Sequence, residues 1–99
     1  MVASLSAILI HGVPRVDPQK IDRQIRAGVP VGSNATEVIR FLDSNHIAHF
    51  EYLPQFRNLG AIIPNSTIGV AKSFIYIDFR FDENGKLVRY EVSECFEGL

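Results

Sequence analysis

The sequence predicts an α+β domain, with two N-terminal helices packed on one face of a three- to four-stranded antiparallel meander sheet. Three observations carry this. In residues 73–92, SFIYIDFRFDENGKLVRYEV, apolar Ile75, Ile77, Phe79 and Phe81 alternate with Tyr76, Asp78, Arg80 and Asp82, the period-two pattern of a strand with one buried face. The alternation resumes after Asn84-Gly85, a hairpin signal, with Val88, Tyr90 and Val92. Helix signals lie in the first half of the chain and strand signals in the second, which indicates separate helical and sheet layers.

Asp17 and Pro18 open the first helix. Aspartate accepts an amide hydrogen bond at the N-cap, and proline lacks the amide hydrogen that would be orphaned at the first helical position. Ile21 and Ile25 form a narrow apolar stripe, and Gly28 ends the helix. Pro30 and Gly32 break the chain before the second helix. Ser33 or Asn34 caps it, and Glu37 occupies the capping-box position relative to Asn34. Ala35, Val38, Ile39 and Leu42 share one face, Phe41 lies on its shoulder, and Asn45 is a left-handed terminator.

Residues 47–53, IAHFEYL, read as the first strand, with Ala48, Phe50 and Tyr52 on one face and His49 and Glu51 on the other. Pro54 ends it, and residues 55–60 make a loop. Ala61, Ile62 and Ile63 begin a second strand that Pro64, unable to donate in a ladder, makes short, interrupted and peripheral. In the final hairpin, a turn centred on Asn84-Gly85 sets Phe81 against Val88, Phe79 against Tyr90 and Ile77 against Val92. The outer sheet face then carries Phe74, Tyr76, Asp78, Arg80, Arg89 and Glu91. Like charges stand directly across the strands and opposite charges on the diagonals.

The chain of 99 residues with 46% hydrophobic side chains is one domain able to bury a core. Residues 1–12 are read as an apolar N-terminal segment and 13–99 as the α+β domain. The run MVASLSAILI is too short to span a bilayer, for which about 20 residues are needed. It is read either as a terminal element covering the core or as the remnant of a longer membrane tether. A net charge of -1 gives no basic field for phosphates, so no nucleic-acid partner is expected. The single cysteine, Cys95, supplies neither a disulfide nor a multi-cysteine metal site, and is read as a small side chain at the end of the last strand. His46 and His49 straddle a helix end and a strand, which does not give the spacing of metal ligands. With no phosphate loop, nucleophile elbow or zinc motif, the expectation is no enzyme, no cofactor and no metal.

The distinctive content is aromatic: Phe50, Tyr52, Phe56, Phe74, Tyr76, Phe79, Phe81, Tyr90 and Phe96 crowd the second half. Phe74 and Tyr76 beside Arg80 and Arg89 make the residue set enriched at protein interfaces, and these four are the candidate binding residues.

Residues 32–42, GSNATEVIRFL, and 79–87, FRFDENGKL, resemble small α+β domains of the BamE/SmpA outer-membrane assembly lipoproteins and of the β-lactamase inhibitor protein. The likeness covers the order of elements over residues 17–92. It departs where those lipoproteins carry Leu-Gly-x-Pro, since Leu42 is followed here by Asp43-Ser44-Asn45, and in having no lipobox cysteine ahead of the domain. The resemblance implies a protein-binding or inhibitor-like module of the bacterial cell envelope, periplasmic or membrane-associated rather than cytoplasmic. The alternatives are a small-ligand domain with a pocket between helix and sheet near His49 or Cys95, and a homo-oligomer self-associating through residues 1–10 or an edge strand.

Overall fold

The computed structural model describes residues 16–68 and 71–97, so the readings of residues 1–10 fall outside the described residues. The architecture is α+β: helices α1 (Pro18–Gly28) and α2 (Ala35–Ser44), then strands β1 (Ala48–His49), β2 (Asn58–Ile68), β3 (Ala71–Phe81) and β4 (Leu87–Glu97). The strands form one antiparallel sheet in the order β1-β2-β3-β4, the meander that the sequence predicts.

Both helices begin as read. Asp17 accepts the Gln19 amide at 3.0 Å, with Pro18 in the first turn. Asn34 and Glu37 exchange reciprocal bonds of 2.8 Å, a complete capping box. Such a cap contributes about 1 kcal/mol. The end of α2 differs from expectation. Asn45 has an ordinary φ of -99° and bonds through its side chain to the Phe41 carbonyl, while the left-handed residue is His46, at φ 57°. One further residue is therefore needed to turn the chain into β1.

The core lies between the helices and one sheet face. Ile21, Ile25 and Val29 from the α1 region and Val38 and Leu42 from α2 are buried with Leu59 and Ala61 of β2, Ile75, Ile77, Phe79 and Phe81 of β3, and Leu87. The helices approach closely at Gly28, where a methyl group would run into the Phe41 ring. Tyr90 ties β4 to α1 by donating its hydroxyl to the Asp22 carbonyl at 3.1 Å.

Three strand expectations are corrected. The first strand is confined to Ala48–His49. Beyond it only the Phe50 amide bond to Gly60 and an isolated Leu53–Asn58 bridge continue the pairing, and Phe50 is exposed while Tyr52 turns inward against Phe81, with ring centroids 5.1 Å apart. β2 is not short: it runs for 11 residues and lies between β1 and β3 at Ala61 and Ile62, while from Ile63 on β3 is its one described partner, so that later part is peripheral as expected. Pro64 is tolerated because of strand parity. The Phe50 amide bonds to the Gly60 carbonyl, so Gly60, Ile62 and Pro64 direct their backbone groups toward β1, and β1 stops at the partner of Ile62. The missing N–H of Pro64 thus points past the end of β1, where no ladder bond is lost. The expected irregularity takes the form of a bulge at Asn65, which slips the β2–β3 register by one residue.

The third correction concerns the hairpin. Phe79 opposes Tyr90 and Ile77 opposes Val92 as predicted, but Phe81 opposes Leu87 rather than Val88. The Gly85 amide bonds to Asp82 O and the Asp82 amide to Lys86 O, which centres the turn on Glu83-Asn84 with Gly85 left-handed at φ 76°. Val88 becomes the extra residue of a bulge, so Leu87 enters the core and Val88 is left 49% exposed. Asp82 organises this turn. Its Oδ1 accepts the amides of Lys86 and Asn84, and the Lys86 bond is the largest cause of a carboxyl pKa held below its ordinary value.

Candidate functional site

β3 places its even-numbered side chains away from the helices. Phe74 and Tyr76 are half-buried on the outer face, Asp78 lies among them, and Arg80 is exposed. Across β3, the register aligns Pro64, Phe74 and Cys95 in one row, Ile62, Tyr76 and Ser93 in the next, then Gly60, Asp78 and Glu91, and finally Asn58, Arg80 and Arg89. The structure thus brings the four sequence-predicted residues, Phe74, Tyr76, Arg80 and Arg89, onto one surface. Its two sectors are apolar toward β1 and charged toward the hairpin.

Two features of this surface are not evident from the strand alternation. Tyr76 leans along the sheet over Gly60, where a methyl group would stand 2.5 Å from its hydroxyl oxygen. Glycine in mid-strand marks this close approach, and the ring in turn buries the glycine backbone. In addition, Phe50, held opposite Gly60 by its amide bond and 56% exposed, joins Ala48, His49 and Ile62 around a shallow apolar depression of about 240 Å³. Phe50 and Ile62 therefore extend the aromatic sector beyond the residues the sequence singles out. A β1 ending at His49 is what exposes Phe50, and periodicity alone does not show where that strand ends.

In the charged sector, Arg80 and Arg89 stand directly opposite each other, as do Asp78 and Glu91. The ion pair that forms is not one of the expected diagonals. Arg80 Nε donates to Asp78 Oδ2 at 2.9 Å along β3 itself. Asp78 Oδ1 is enclosed with no hydrogen-bond partner among the described residues. An enclosed acceptor without a donor costs free energy that an added donor would recover.

On the helix side, His49 links the last turn of α2 to β1. Its Nδ1 lies 2.9 Å from the Phe50 carbonyl and its Nε2 2.9 Å from Asp43 Oδ1, so both ring nitrogens face acceptors. Only the imidazolium donates from both, and its pKa is raised, chiefly by the Phe50 carbonyl and also by Asp43 against a desolvation that lowers it. Because the folded value lies above the unfolded one, the stabilisation is complete below about pH 6.5 and is lost as pH rises through the folded pKa. The thermal midpoint is expected to fall between pH 6 and pH 8.5 as this link is lost. In Asp43→Asn that fall is expected to shrink. Equal slopes in calorimetric scans of the two proteins would refute the assignment.

The crevice between helix and sheet, about 530 Å³, opens beside Ile21 and Gln24 of α1, His46 and Ile47, and Ile63 and Pro64 of β2. It adjoins His46, not His49 or Cys95. Cys95 is half-buried on the outer face. Among the described residues no three His, Cys, Asp or Glu side chains gather as metal ligands, and no helix is long and apolar enough to cross a membrane.

No protein-family model, curated protein or solved structure matches the chain.

Proposed function

We propose that this chain is a non-catalytic module that binds another protein through the outer face of its sheet, in the manner of an assembly or inhibitor domain of the bacterial envelope. The observation that carries the reading is the juxtaposition on that face. Phe50, Ile62, Phe74 and Tyr76 form an apolar sector continuous with Asp78, Arg80, Arg89 and Glu91, and no described element covers it. Aromatic and arginine anchors next to one another are the composition of interface hot spots. Asp78 Oδ1 adds an acceptor that a donor from the partner can satisfy once the Arg80 side chain is drawn aside.

The test is affinity capture from native extract with the wild type and a Tyr76→Ala, Arg80→Ala double variant. Both sites lie outside the helix-facing core, so the variant is expected to stay folded and to bind its partner at least about tenfold more weakly, as loss of a hot-spot pair implies. Equal recovery by the two proteins, or no specific partner with either, would reject the proposal.

The crevice beside His46 favours a second reading, a small-ligand domain. It has the volume of ligand pockets and an apolar lining with Gln24, Asn45 and His46 at its margin. Amide shifts in a fragment screen confined to residues 21–24, 46–48 and 62–64 would support it, and shifts confined to β3 would not.

A further inference from the structure

We infer that the outer sheet face takes an amphipathic helix of the partner, laid along β3. Its acidic residue lies over Arg80 and Arg89, a basic residue one turn on lies over Asp78 and Glu91, and apolar residues beyond them lie on Tyr76, Ile62 and Phe74. The inference rests on the protein-binding reading above and supplies the partner's half of the contact.

The charges of this face are sorted into rows. Arg80 opposes Arg89, and in the next row Asp78 opposes Glu91. Like charges directly across a sheet repel. The described residues offset little of this repulsion. Arg80 commits only Nε, to Asp78 Oδ2, and its two terminal nitrogens meet no acceptor among the described residues. Arg89 and Glu91 join no ion pair there, and Asp78 Oδ1 has no donor. The four side chains line one cleft of about 170 Å³, together with Tyr90. One row therefore calls for a carboxylate and the other for a cation. A simple anion or cation would answer one row and leave the other as it is, so the complementary ligand carries both signs in a fixed order.

The spacing of the rows selects a helix. From the hairpin toward β1 the rows are Arg80 with Arg89, then Asp78 with Glu91, then Ile62 with Tyr76 and Ser93, then Pro64 with Phe74 and Cys95. Successive rows lie two strand residues apart, about 6.8 Å. Helix positions i and i+4 share a face and are about 6 Å apart along the axis. Glu at i, Lys at i+4 and apolar residues at i+8 and i+11 thus match the rows in order. Glu four residues ahead of Lys also stabilises the helix itself. An extended segment lying flat on this face would leave its backbone groups unpaired, whereas a helix satisfies its own. The result is a helical layer on each side of one sheet.

Two capped alanine-glutamine helices of about 16 residues test the inference on the full chain. One carries Glu, Lys, Leu and Leu at i, i+4, i+8 and i+11, and the other has its Glu and Lys exchanged. In NMR titrations to about 1 mM, the first is expected to shift amides of residues 74–80 and 89–93 and to bind at least about fivefold more tightly than the second. That preference should shrink at about 0.5 M salt. Arg89 and Glu91 are exposed and unpaired, so the Arg89→Glu, Glu91→Arg variant should keep the wild-type circular dichroism. It leaves one charge of each sign in both rows, so it should bind the two helices equally. The inference is overturned if neither helix binds, if the wild type does not prefer the first, if the shifts fall off the outer face, or if the preference survives in the double variant. The capture experiment bears on the face itself: a partner lost with Tyr76→Ala, Arg80→Ala beside helices that fail would reject the helix and leave the binding face standing.

Discussion

Phe79→Ala is expected to lower the unfolding free energy by about 3–5 kcal/mol, the largest effect of any single truncation in the sheet. Phe79 is fully buried at the middle of the meander, opposite Leu59 on β2 and Tyr90 on β4, with its ring centroid 6.1 Å from that of Tyr90. Removing the ring forfeits its transfer free energy and leaves a hole walled by strands on both sides. Those strands are held by ladder hydrogen bonds and cannot close in. Urea denaturation should show a lower midpoint with an unchanged slope, since both variants expose nearly the same surface on unfolding. A loss below about 1.5 kcal/mol would mean that the helices collapse onto the vacated site.

Asn65→Ala is expected to cost about 2–3 kcal/mol by a different route. Asn65 is the bulged residue of β2 and is 1% exposed. Its Oδ1 accepts the Val16 amide at 2.5 Å, and its Nδ2 donates to the Glu94 carboxylate at 2.6 Å. One side chain thus joins the approach to α1, the bulge and β4. Alanine removes both bonds and leaves the amide of Val16 without its acceptor. Asn65→Asp keeps an acceptor for Val16 but sets a second carboxylate against Glu94, so it should be no better than alanine. Chemical denaturation at pH 7 checks the order. An aspartate variant as stable as the wild type would show that the bond to Glu94 contributes nothing.

How far the fold is legible in the sequence can be judged from these same residues. The helices are legible because their signals are local: Asp17-Pro18, the Asn34/Glu37 box and the spacing of Val38 and Leu42 each act within a turn or two. The β3–β4 pairing is legible through Ile77, Phe79, Tyr90 and Val92, because strict alternation permits one register over that stretch. At the hairpin end this fails by one residue. Asn84-Gly85 suits a two-residue turn as well as it suits a turn on Glu83-Asn84 followed by a left-handed glycine, and only burial of Leu87 in place of Val88 selects the second. Pro64 misleads about β2 because what matters is the side to which its nitrogen points, a tertiary property. On the outer face, Phe74, Tyr76, Arg80 and Arg89 follow from alternation. The placement of Tyr76 over Gly60 and of Phe50 beside Ile62 depends on contacts between strands, which alternation within one strand does not reveal.

The meander also governs the order in which the molecule assembles. Every strand pairs with its neighbour in the chain, so the sheet closes only short loops, at small entropic cost and on the fast timescale of hairpins. The first helix is different, because its bond from Tyr90 to Asp22 spans 68 positions. It is expected to dock after the ribbon has formed, and in hydrogen exchange its amides should open before those of β3.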